Sequence, residues 1–238
     1  MTQARPIARA LAAAAVASLL VAAARPIEPE GMISISQVEA ARAMDDFARC
    51  LVSSNRRRTA IEHFLRTPQG DEAAEIGRKL ATPDCVPRFL GQTRMRFQSG
   101  LFRVSLYSAL YQREFGRLGA PDVAAVPPLT VSDEFDAPAS AIPPVEFFTR
   151  ALGDCVARAD APAVHALLLT RIDSKEEKPA LDRVMPRLAY CLPAGQQLKF
   201  SRTMLRGYLA EALYKLRKAA SAPVPAPASA PSSARPVS

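Results

Sequence analysis

Four cysteines and two histidines are the side chains of this chain best suited to redox, metal or nucleophilic chemistry. A zinc site or a thiol nucleophile needs further ligands or a base at short, fixed spacing, such as CxxC, HxxxH or HExxH. None of these occurs. The cysteines fall instead into two widely spaced pairs, Cys50 with Cys85 and Cys155 with Cys191, separated by 35 and 36 residues. Four cysteines allow three pairings, and the near-equal separations favour closing each bridge within its own segment. A bridge over a loop of about 36 residues contributes roughly 3–4 kcal/mol in the chain-entropy model. The cysteines therefore read as staples.

The remaining chemistry is equally sparse. His63 and His165 each lack a spaced partner, and His165 sits among Val164, Ala166, Leu167 and Leu168, so both read as structural or surface histidines. No GxSxG or SxxK marks a hydrolase nucleophile, and the ten glycines never form GxGxxG or a P-loop. Asp45-Asp46 and Glu176-Glu177 read as capping or solvated carboxylates. No catalytic residue, metal site or cofactor is expected.

The elements that must position the cysteines show a repeat. Phe47-Ala48-Arg49-Cys50-Leu51 aligns with Leu152-Gly153-Asp154-Cys155-Val156, and Cys85-Val86-Pro87 with Cys191-Leu192-Pro193. Met95-Arg96-Phe97 then aligns with Leu198-Lys199-Phe200. From there the register is constant, pairing Phe102 with Leu205, Arg103 with Arg206, Leu106 with Leu209 and Ala109-Leu110-Tyr111 with Ala212-Leu213-Tyr214. Ordered blocks of this kind indicate an old duplication. The expected fold is all-α: two tandem, disulfide-stapled units of about four helices each, related pseudo-symmetrically and packed through their long last helices.

Local signals set the helices. Ser36-Gln37-Val38-Glu39 has capping-box spacing, followed by Val38, Ala41, Met44, Ala48 and Leu51 at helical intervals. Arg56 to Arg66 forms a second helix stopped by Thr67-Pro68-Gln69-Gly70, Asp71 caps a third, and the fourth runs from about Gln92 to Leu118. In the second unit Pro144 opens the first helix, and Asp160 and Pro162 start the next. Ser174-Lys175-Glu176-Glu177 offers another capping box, Pro186 should kink or end the third helix, and the last runs from Gln196 to Lys218.

Composition bounds the rest. Hydrophobic residues make up 49%, but with no tryptophan and only 6% aromatics, which suits helices packed through Ala, Leu and Val. Residues 1–24 carry Arg5 and Arg9, an apolar stretch from Ala10 to Ala22 and a small-residue cleavage region, the pattern of a secretory signal peptide. Export to the periplasm or beyond fits persistent disulfides. The units span 33–118 and 144–218. Between them, 119–143 holds five prolines and the acidic run Asp133-Glu134-Phe135-Asp136, a linker wrapped over the surface or partly mobile, and the Ala/Pro/Ser tail 219–238 is expected to be disordered.

The formal charge of +8 is unevenly placed. Residues 86–119 hold six arginines against Glu114 alone, and 192–218 hold Lys199, Arg202, Arg206, Lys215, Arg217 and Lys218 against Glu211. The last helix of each unit therefore reads as amphipathic with a basic face, and Arg96, Arg103, Lys199 and Arg206 are the candidate anion-contact residues. An acidic protein, a cell-wall polymer or an anionic membrane surface fits such a face. Nucleic acid fits the charge but not the export signal or the lack of interleaved aromatics. These features favour a non-enzymatic interaction module at the bacterial cell envelope. Two rival readings are a hydrolase-like enzyme with His63 or His165 in a groove between the units, and a carrier of a small apolar ligand between the helices.

Overall fold

The computed structural model describes residues 36–86, 98–193 and 200–221, and within them the chain is helical with no strand. Eight helices follow in order: α1 Gln37–Ser53, α2 Arg58–Arg66, α3 Asp71–Leu80, α4 Ser99–Phe115, α5 Pro144–Ala159, α6 Ala161–Leu169, α7 Glu177–Cys191 and α8 Arg202–Ala220. The signal-like segment, Arg96, Lys199 and all of the tail beyond Ser221 lie outside the described residues. No described helix is long and apolar enough to cross a membrane.

Several starts obey simple capping chemistry. Ser36 accepts the Glu39 amide while the Glu39 carboxylate accepts the Ser36 amide, which completes the expected capping box. Asp160 accepts the Ala163 amide ahead of α6, and Ser201 accepts the Met204 amide ahead of α8. Two expectations are corrected. The Ser174 box does not form, because Glu177 turns its carboxylate to the Asp173 amide and to Arg206 while the Ser174 hydroxyl is left without a partner. α7 also runs through Pro186 to Cys191. Pro186 and Asp182, whose carbonyl loses its partner, both lie on the exposed side of the helix, where water can replace the missing bond.

α4 and α8 cross at the centre. α1 packs on α4 and α5 packs on α8, with the shorter helices outside them. Both helix starts lie later than expected, at Ser99 and Arg202, because Gln98 and Ser201 are extended. Neither is the helix with one apolar and one basic face that the basic residues suggested. Every residue from Phe102 to Ala109 is buried, as are Leu205 to Gly207 and Leu209 to Leu213, since a central helix must be covered on all sides. Small residues set the close approaches. A Cβ on Gly207 would stand 2.2 Å from the Val104 Cβ, and one on Gly153 would stand 2.8 Å from the Tyr208 carbonyl oxygen. Disulfides Cys50–Cys85 and Cys155–Cys191 tie α1 to the turn after α3, and α5 to the end of α7, with Cα separations of 5.5 and 5.9 Å.

The crossing generates a test. Gly207→Ala should destabilise the protein by about 1–3 kcal/mol through overpacking, read from the denaturant midpoint. The exchange Val104→Gly with Gly207→Val should recover part of that loss, because it only moves the side chain to the opposite helix.

Candidate functional site

Arg103 and Arg206 are 1% and 2% exposed, so neither offers its charge to a surface anion; this corrects the basic-face expectation for both. Arg103 donates to the carbonyls of Leu65 and Thr67 at the end of α2. Arg206 donates to those of Leu168 and Thr170 at the end of α6, and it also pairs with Glu177 at 3.3 Å. In both cases the bound residues stand 38 and 36 positions before the arginine. A guanidinium suits this task because its planar fork of donors can meet several of the carbonyls a helix end leaves open. Burial pulls the Arg206 pKa down, opposed by the Glu177 charge. Arg103 also lies over the Phe64 and Phe135 rings, at 5.3 and 5.7 Å.

Other basic residues follow the same pattern. Arg113 donates to the Val52 carbonyl and the Asn55 amide oxygen at the end of α1. Arg217 donates to Gly119, and Arg158 to Val123, Val126 and Pro127. The last two hold the segment between α4 and α5 against the core, where Val123, Val126, Phe135 and Ile142 are buried.

A buried ionic cluster fastens the same segment. Arg150 pairs with Glu146, with Glu211 at 2.9 Å and with Glu134 at 3.1 Å, while Lys215 pairs with Glu134 and Glu211. The Phe135 ring lies 4.2 Å from the Arg150 guanidinium, and Asp136 pairs with Arg66 on α2. Burial works against the Glu211 charge, but Lys215 and Arg150 outweigh it and pull the carboxyl down to about 2. The i,i+4 pairs Glu146/Arg150 and Glu211/Lys215 were the sequence signals for this cluster.

One open feature is a groove of about 560 Å³ lined by α2, α4 and α8, a volume within the usual range of ligand sites. Val52, Ile61, Leu65, Tyr107, Leu110 and Tyr214 supply its apolar and aromatic surface, and Arg58, Glu62, Arg66, Arg113, Glu114 and Lys218 stand among its polar lining. An aromatic cluster lies in the interior of the first half. Phe47, Phe64 and Phe102 pack together there, with ring centroids 5.7 Å apart for Phe47/Phe102 and 5.1 Å for Phe64/Phe102. Leu152, Leu167 and Leu205 are buried in the second half of the chain. α6, apolar along its length, packs against α4, where Gln112 donates to the Leu168 carbonyl at 2.7 Å. α2, charged at Arg58, Glu62 and Arg66, has no packing of that extent against α8. The contrast between the aligned sequences of α2 and α6 was the available clue to the groove.

The charged groups of this groove are already engaged. Arg58 pairs with Glu62 at 2.9 Å, Lys218 with Glu114 at 3.5 Å, Arg66 with Asp136, and Lys215 with its two buried glutamates. The Tyr214 hydroxyl donates to Glu114, and burial, with that carboxylate, pushes the Tyr214 pKa up.

The two histidines do not meet. His63 is exposed on α2 beside α3, whereas His165 is buried on α6 with Nδ1 2.6 Å from the Tyr111 hydroxyl. Among the described residues, no group of three or more His, Cys, Asp or Glu side chains is arranged to hold a metal ion. Phe102 and Leu205 are packed into the core at 0% and 6% exposure, so no ligand cavity opens along them. Comparison of the chain with protein-family models, curated proteins and solved structures finds no match in any of the three.

Two outcomes follow from these geometries. Arg103→Met and Arg206→Met should each cost about 3 kcal/mol or more in unfolding free energy, because buried carbonyls lose their donor, and Lys should not restore either site. Burial, then the Arg217 charge, holds the His165 pKa below its ordinary value. The unfolded chain therefore takes up this proton first as pH falls through about 6.5. The His165 contribution to stability should be fully present above that pH and decline below it, and His165→Gln should remove that part of the slope in a pH series of urea unfolding.

Proposed function

We propose that this chain is an exported, non-enzymatic interaction module of the bacterial cell envelope, built as two copies of one disulfide-stapled helical unit. Its contact site is the groove between α2, α4 and α8, in place of the outer faces of the last helices. The observation that carries the reading is this groove, an apolar and aromatic recess bordered by paired charges. Its charged residues are held in pairs, an arrangement suited to holding a partner by shape and apolar contact. Arg103 and Arg206 gripping equivalent helix ends support the duplication, and the two disulfides support an oxidising compartment.

A site-specific crosslink tests the reading. A photo-crosslinking residue replacing exposed Glu62 beside the groove, in a chain ended after Ser221 and exported by a bacterial host, should give a discrete adduct with an envelope component. The same residue replacing exposed Lys175 should not. Equal labelling at both positions, or none at 62, would argue against the groove as the contact site.

A further inference from the structure

We infer that the chain's own proline-rich tail, residues 222–238, docks in the α2/α4/α8 groove and occupies it until a partner displaces it. The inference rests on the groove being the contact site and adds the identity of its resident occupant.

Three observations select this occupant. The last turns of α8 form one wall of the groove through Tyr214, Lys215 and Lys218, and α8 ends at Ala220. The chain beyond Ser221 therefore departs from the groove's own edge. The 17 residues that follow carry Pro223, Pro225, Pro227, Pro231 and Pro236, no acidic residue, and Arg235 as the sole basic one. Such a sequence favours the polyproline II conformation, with a rise of about 3.1 Å per residue, so Pro223 to Pro227 would span about 15 Å. Extended proline-rich segments dock in aromatic-lined grooves because they arrive already ordered and lose little entropy on binding. Tyr107 and Tyr214, with ring centroids 5.8 Å apart, provide that lining.

The charges decide between a neutral and an anionic occupant. Arg58, Arg66, Lys215 and Lys218 each already face a carboxylate, and Arg113 is bound to the oxygens of Val52 and Asn55. An anion would have to displace one of these partners, whereas a prolyl segment leaves them in place. Tethering adds to the effect, since a linked segment meets its site at an effective concentration in the millimolar range.

The test uses the full chain with a photo-crosslinking residue in place of Glu62, purified and irradiated over a range of protein concentrations. The expected product keeps the monomer mass, has a yield independent of concentration, and maps by peptide mass spectrometry to residues 222–238. The triple variant Pro223→Ser, Pro225→Ser, Pro227→Ser should lose most of that adduct while its helical circular dichroism stays unchanged. A product of twice the mass would assign the groove to a second copy, and absence of any tail adduct would leave it empty in the free protein; either overturns the inference. An envelope adduct formed by the chain ended after Ser221, with no tail adduct in the full chain, would refute tail docking alone and leave the groove as the contact site.

Discussion

Two guanidinium groups buried beside a crossing of helices constrain this fold more than any other interaction. Arg103 and Arg206 project from the central pair α4 and α8 into the open carbonyls at the ends of α2 and α6. Such groups are stable inside a core only when most of their donors are used. The α2 and α6 termini are therefore fixed relative to the central helices, and with them the turns that lead on to α3 and α7. The disulfides then hold the other ends of the same elements, joining α1 to the turn after α3 and α5 to the end of α7. Apolar packing fills a frame whose corners are set by polar and covalent links.

The same logic accounts for where the positive charge goes. Arg113, Arg158 and Arg217 bind backbone carbonyls at a helix end or along the segment between α4 and α5, and Arg150 and Lys215 form the cationic side of a buried cluster. Much of the basic character of α4 and α8 thus holds the protein together. The two halves differ in one consequential respect. Phe47, Phe64 and Phe102 pack together in the first, α6 packs on α4 in the second, and α2 has no packing of that extent against α8. The groove lies between α2, α4 and α8, and it is the basis of the binding role proposed for the chain.

Much of the helical plan was legible in the sequence because it rests on local rules. Cysteine spacing pointed to the bridges the structure contains, Ser36 and Glu39 to a capping box, and Asp160 and Pro162 to the start of α6. Matters that depend on tertiary contacts were not legible. An arginine pattern reads the same whether a helix lies on the surface or at the centre, so Arg103 and Arg206 pointed to an anion-binding face although they serve backbone carbonyls. Pro186 was expected to kink or end its helix, and its place on the exposed side of α7 explains why the helix continues to Cys191. The prolines of 119–143 suggested a linker wrapped over the surface or partly mobile, while the anchoring of Glu134, Phe135 and Asp136 depends on α2, α5 and α8 being brought together. The groove depends on how α2, α4 and α8 are brought together, which no single helix reveals.

Residue-resolved arginine modification tests this account most directly. The native protein would be treated with phenylglyoxal and the extent of labelling at each arginine followed by peptide mass spectrometry. Arg103 and Arg206 should stay unmodified while exposed Arg56, Arg117 and Arg171 react, and all five should react once the chain is unfolded and reduced. Labelling of Arg103 and Arg206 in the native state at the rate of the exposed arginines would contradict the claim that they are the buried clamps of the fold.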